Sequence, residues 1–165
     1  MPEATPKHSA FEQALRFLDR RAYSEAELRR KLTRFPYLEA EISAAIAECR
    51  RRRYVNDDEL ARELVENLLA RGNGPRLIRL KLRRRGLPTD QLGALPESTA
   101  TAELTAAQIA AAGKLRLLDR ETDPRKKREK LYRFLATRGF SAPVISQVIS
   151  ASVDASAPDD DISHF

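Results

Sequence analysis

At 165 residues and 18.6 kDa, with 42% apolar and 33% charged residues, the chain can build one ordinary domain or a few small repeats sharing a core. It contains no apolar run near the roughly 18 residues of a membrane helix and no apolar stretch of a secretion signal near its start, and the lone Cys49 rules out a disulfide framework within the chain, which together predict a soluble cytoplasmic protein. The charge is uneven: residues 11–151 carry 29 basic against 19 acidic groups, whereas residues 152–165 carry four Asp and no basic residue, an imbalance that predicts a polyanionic partner unless it serves solubility alone.

In chain order the sequence parses into nine helices, and no segment shows the alternation of a strand. The first two span about 11–22 and 24–34; the second opens on Ser24-x-x-Glu27, a capping box, with Tyr23 and Leu28 at the spacing of a hydrophobic staple. A third, at about 38–53, follows Pro36 and closes on Arg50 to Arg53. The fourth, at about 56–71, opens on Asn56-x-x-Glu59 with Val55 and Leu60 as its staple, and Asp57, Asp58 and Glu59 suit the dipole of a first turn better than they suit a metal. Arg71-Gly-Asn-Gly-Pro-Arg76 lacks the G-x-x-x-x-G-K-[ST] spacing of a phosphate loop. It reads as a flexible hinge whose two arginines flank a helix N-terminus able to receive an anion. Helices at about 75–85, 88–95, 98–119, 123–137 and 141–151 complete the chain, with Pro75 and Pro124 at first helical positions. Residues 1–9 and 152–165 hold too little apolar material to order.

One phrase is written three times. Leu28, Ile78 and Leu131 correspond, followed by Leu32, Leu82 and Leu135, then the stops Pro36, Gly86 and Gly139. The apolar Tyr37, Leu87 and Phe140 come next, and five residues on stand Ile42, Leu92 and Ile145. Apolar residues four apart form one buried stripe, and glycine past a last turn takes the left-handed conformation that closes a helix. The expectation is an all-α fold of three tandem three-helix repeats, at 10–55, 56–96 and 97–151, stacked into an elongated, curved body. The stripes suffice for internal stacking, which predicts a monomer with Cys49 as a buried filler beside Ile42 and Ile46.

The two histidines, His8 and His164, lie in the chain ends, so neither a metal cluster nor a Cys–His or Ser–His nucleophile can be assembled. The expectation is a protein with no catalytic activity and no cofactor. Three basic runs stand out instead: Arg50, Arg51, Arg52 and Arg53; Arg83, Arg84 and Arg85; and Arg125, Lys126, Lys127 and Arg128. The first two close helices, where cations favour the dipole, but the third opens one, where they do not. A cost accepted on a surface points to an external partner.

Three stretches, ALRFLDRRAYSEAELRRKL at 14–32, YVNDDELARELVENLLARGNGPRLIRLKLRRRGLP at 54–88 and KKREKLYRFLATRGFS at 126–141, resemble the bacterial RecX regulatory proteins. The resemblance implies three tandem three-helix repeats that bind the RecA filament on single-stranded DNA and suppress its ATPase, strand exchange and coprotease activities, some members also binding DNA directly. The three basic runs are then the expected contacts. A general DNA- or RNA-binding helical protein and a helical-repeat scaffold are the competing readings. The segment PDDDISHF resembles the acidic, Phe-ended tip of bacterial single-stranded DNA-binding proteins, departing from it at Ser163-His164. Beyond solubilising the chain, Asp159 to Asp161 could fold back on the Arg-rich face.

Overall fold

A computed structural model describes residues 7–89 and 100–153. The expected helix at 88–95 falls largely outside them, as do most of the expected mobile ends. Among the described residues there are eight α-helices and no strand: α1 Ala10–Leu18, α2 Glu25–Leu32, α3 Glu39–Arg51, α4 Asp57–Ala70, α5 Pro75–Arg85, α6 Ala100–Leu117, α7 Pro124–Thr137 and α8 Ala142–Val153. None is long and apolar enough to cross a membrane.

Helix starts follow local chemistry. Ser9 and Ser24 each accept a hydrogen bond from the N–H three residues on, while the Glu12 and Glu27 carboxylates accept one from the serine backbone N–H. The Asn56 Oδ1 likewise accepts from Glu59 N–H at 3.2 Å, but the Glu59 carboxylate takes its bond from the Asn56 side-chain amide. Asp123 caps the N–H groups of Arg125 and Lys126, with Pro124 at the first helical position. The first helix ends four residues earlier than its sequence predicts, because Arg21 turns back onto Glu27 and the Ala22 carbonyl as the chain enters the Ser24 cap.

Helix ends share one device. At residues 53, 72, 86 and 139 the N–H bonds the carbonyl three residues back, and the following N–H bonds the carbonyl five back from itself. This is the Schellman motif, and all four residues have positive φ: 60° at Arg53, 68° at Gly72, 71° at Gly86 and 84° at Gly139.

The chain forms two compact units, Met1–Asn67 with Arg79–Gly93, and Leu68–Ile78 with Ala94–Phe165, so α4 and α5 supply residues to both. In the first, α1, α2 and α3 enclose Ala14, Tyr23, Leu28, Leu32, Ile42, Ile46, Cys49 and Val55. In the second, α6, α7 and α8 enclose Ala107, Ala111, Leu131, Leu135, Phe140, Val144, Ile145 and Val148. All six stripe residues of the repeated phrase, Leu28, Ile78, Leu131, Leu32, Leu82 and Leu135, are fully buried. Ser141 N–H is met by the Glu103 carboxylate at 2.7 Å, tying the start of α8 to α6.

The stretch 71–76 is a fixed turn and not the expected hinge. Gly74 N–H donates to the Arg138 carbonyl at 2.7 Å, Arg76 N–H to the Gly139 carbonyl at 3.1 Å, and Asn73 Nδ2 to the Leu68 carbonyl at 2.9 Å. The Arg138 guanidinium closes the other side on the Arg71 and Gly72 carbonyls. A methyl group on Gly74 would lie 2.7 Å from the Gly139 backbone, and one on Gly139 2.4 Å from Leu77 N, so the two strands of chain touch where both lack side chains. Because those N–H groups already have carbonyl partners, the α5 N-terminus does not offer them to an anion.

Candidate polyanion-binding surface

The first unit gathers cations that are scattered in the sequence. Arg21 precedes the α2 cap, and Arg30, Lys31 and Arg34 follow at helical spacing along α2 and just past its end. With Tyr23 and Glu27 they line a cleft of about 260 Å³. A second hollow of about 280 Å³, lined by His8, Gln13, Arg16, Phe17 and Arg20, lies in the same unit. Aromatic rings run beneath the cations: Tyr23, Phe17, Phe35 and Tyr37 follow one another with centroids 6.2, 6.1 and 5.9 Å apart. The Arg21 guanidinium lies 3.6 Å from the Tyr23 centroid, and Lys31 Nζ lies 4.8 Å from that of Phe17 and 5.4 Å from that of Tyr23.

The end of α5 joins this cleft. Ser24, buried, accepts from Glu27 N–H and donates its hydroxyl hydrogen to the Arg85 carbonyl, so one side chain closes the start of α2 and the end of α5. Arg30 donates to the Arg84 carbonyl at 3.2 Å. Arg85 turns inward: its guanidinium meets Glu27 at 2.9 Å and the Ala22 carbonyl at 3.0 Å. Burial pushes the Glu27 carboxyl up, but hydrogen bonds from Arg85, the Ser24 N–H and Arg21 outweigh it and hold the group below its ordinary value of 4.5.

The members of the three basic runs therefore differ in availability. Arg83 and Arg84 are exposed and have no ion-pair partner among the described residues, whereas Arg85 is engaged by its own unit. Arg51 and Arg52 share Glu48, whose carboxyl their hydrogen bonds lower to about 2. Arg50 stays 70% exposed with only a 3.7 Å approach to Glu25. Arg53 is exposed at the end of α3. Arg125, Lys126 and Lys127 stand in the first turn of α7, their cost offset by the Asp123 cap, with exposed Arg128 beside them. The cleft cations Arg21, Arg30, Lys31 and Arg34 escape a search for contiguous runs. Their signal is an i, i+1, i+4 spacing on one short helix, coupled to Arg21 only by the turn before it.

Models of the first and third three-helix domains of RecX match residues 10–49 and 101–149. A "Regulatory protein RecX" from Syntrophotalea carbinolica is 33% identical over 150 residues, covering 88% of this chain and 97% of that one. Another from Vibrio campbellii is 30% identical over 145 residues, covering 88% and 92%. The crystal structure of RecX from Lactobacillus salivarius superposes with a TM-score of 0.70 at 25% identity, covering 88% of this chain and 95% of that one.

Proposed function

Because the chain belongs to the RecX family of regulatory proteins, we propose that it binds the RecA filament on single-stranded DNA and lowers its ATPase, strand-exchange and coprotease activities. The observation that carries this reading is the match over nearly the full length of a regulatory relative. The chemistry supports it. A filament on DNA presents phosphate and acidic protein surface together, and an arginine-lined cleft over aromatic rings suits both. A binder that prefers one filament state shifts assembly without performing any reaction. The contact residues we assign are Arg50, Arg51, Arg52, Arg53, Arg83, Arg84, Arg125, Lys126, Lys127 and Arg128, joined by Arg30, Lys31 and Arg34; Arg85 holds the cleft together from within.

The test is the DNA-dependent ATPase of RecA with the protein added at substoichiometric and at equimolar ratio. Inhibition is expected at both; none at either overturns the proposal. Phe35, the exposed ring of the aromatic row, favours a second reading, direct binding of single-stranded nucleic acid through stacking and charge. That reading predicts affinity for a bare oligonucleotide, without RecA, that falls steeply with salt.

A further inference from the structure

The second unit has a groove that the proposed function does not use. Leu69 at the end of α4, Ala106, Ile109, Gly113 and Leu117 of α6, and Phe134 of α7 line a volume of about 470 Å³. The four α6 residues follow one another at i, i+3, i+7 and i+11, a single stripe along the helix. Such a stripe ordinarily faces a core, yet Ile109 is 72% and Leu117 77% exposed. Gly113 lies between them, and a methyl group there would meet nothing within 4 Å, so another backbone can come close at the middle of the stripe. The rim is cationic: Arg71, Lys114 and Arg138 line it and no carboxylate does. Lys114 Nζ and the Arg138 guanidinium lie 5.5 and 4.6 Å from the Phe134 centroid. Among the described residues none of the three cations forms an ion pair.

We infer that this groove docks an acidic amphipathic helix of a partner protein, its apolar face on the α6 stripe and its flanking carboxylates against Arg71 and Lys114. Charge selects the sign of the partner. Three cations and no carboxylate attract an acidic segment and disfavour a second copy of this chain, which carries a net charge of +6. Backbone chemistry selects its conformation. The walls are helices whose N–H and carbonyl groups are bonded internally, and the Arg71 and Gly72 carbonyls at the mouth are taken by Arg138. An extended peptide would find no ladder to join, whereas a helix brings its own backbone bonds with it. Length agrees: Ala106 to Leu117 span about 16 Å, about three turns, which matches the i, i+3 or i+4, and i+7 anchors of a helix laid in a groove. Burial of Ile109, Leu117 and Phe134 supplies the affinity, and the cations set orientation and specificity. The inference concerns the second unit alone and needs neither RecA nor DNA, so its failure leaves the proposed function standing.

Fluorescence anisotropy of two labelled synthetic helices, titrated with the intact chain at physiological salt, tests the inference. One carries Leu along a single stripe with Glu elsewhere; the other has the same composition with the stripe scrambled. The striped helix should bind at micromolar concentration and the scrambled one about tenfold more weakly or worse. Two groove variants follow: Ile109→Asp/Leu117→Asp, whose side chains are mostly exposed, and Gly113→Glu, which enters open space. Both should keep the helical circular dichroism of the wild type and bind the striped helix about tenfold more weakly or worse. Arg34→Glu/Arg84→Glu, in the first unit, should leave that affinity within about twofold. The inference is overturned if the striped helix does not bind, if the scrambled helix binds as well, or if both groove variants bind as tightly as the wild type. It is equally overturned if the chain sediments as a dimer that either groove variant dissociates, a result that would give the groove to a second copy.

Discussion

Arg53 holds the backbone conformation that glycine holds at three other helix ends. A side chain in the left-handed region costs about 1 kcal/mol, which glycine avoids. Arg53→Gly should therefore raise stability by about 0.5–1 kcal/mol, read as a higher urea midpoint at unchanged slope. If Arg53 also contacts the partner, the same variant inhibits the RecA ATPase less well, separating backbone strain from binding. An unchanged or lower midpoint would mean that the guanidinium makes a stabilising contact outweighing the strain. Glu27 is the residue-scale counterpart for charge. Its folded pKa is lowered, so its contribution is complete above its ordinary 4.5 and is lost as pH falls through the folded value; Glu48, lowered to about 2, behaves the same way. Asp57 runs opposite, since burial raises it, with the neighbouring Glu25, Asp58 and Glu27 adding to that rise against a bond from the Glu25 N–H. Glu27→Gln keeps an acceptor for Ser24 N–H but loses the charge that Arg85 and Arg21 grip, so about 2 kcal/mol should go at pH 7. The gap to wild type should shrink by pH 3, as wild-type carboxylates protonate. Urea midpoints at both pH values check this, and an undiminished gap would show that charge is not what Glu27 supplies.

At the scale of elements, the repeated phrase was readable because its signals are local. Leu28 and Leu32, Ile78 and Leu82, and Leu131 and Leu135 follow the helical period, and Gly86 and Gly139 end their helices as their lack of a side chain allows. Cys49 and the Ser24 box were readable for the same reason. The turn at 71–76 was not. Its rigidity comes from carbonyls at 138 and 139, more than 60 residues away, and composition alone reads two glycines and an asparagine as slack. Likewise the inward turn of Arg85 depends on Glu27, 58 positions earlier, although the run containing it looks uniformly exposed. Two glycines put this to test. Gly139→Ala forces a positive-φ alanine and a methyl group 2.4 Å from Leu77 N, and should cost about 3 kcal/mol or more. Gly113→Ala meets nothing within 4 Å and should gain about 0.5–1 kcal/mol. Thermal or urea unfolding of the pair decides; a mild Gly139→Ala would mean that the 74–139 junction readily separates.

Over the whole molecule, carboxylates pair with some of the cations and leave others without an ion-pair partner among the described residues. Glu48 takes Arg51 and Arg52, Glu27 takes Arg21 and Arg85, Glu121 takes Lys130, and Glu129 takes Arg133. Arg34, Arg83 and Arg84 have no ion-pair partner among the described residues, and Arg34 and the Arg84 backbone meet around Arg30 in the first unit. Exposed cations with nothing to neutralise contribute little to stability, so their removal should leave folding nearly untouched. Arg34→Glu/Arg84→Glu should accordingly keep the unfolding midpoint within about 0.5 kcal/mol of wild type. If both arginines contact phosphate, the variant's affinity for single-stranded DNA, bare or RecA-coated, should fall. The slope of log affinity against log salt should flatten by about two. An affinity loss at unchanged slope would place these arginines against acidic protein surface, and an unchanged affinity would remove the cleft from the binding face altogether.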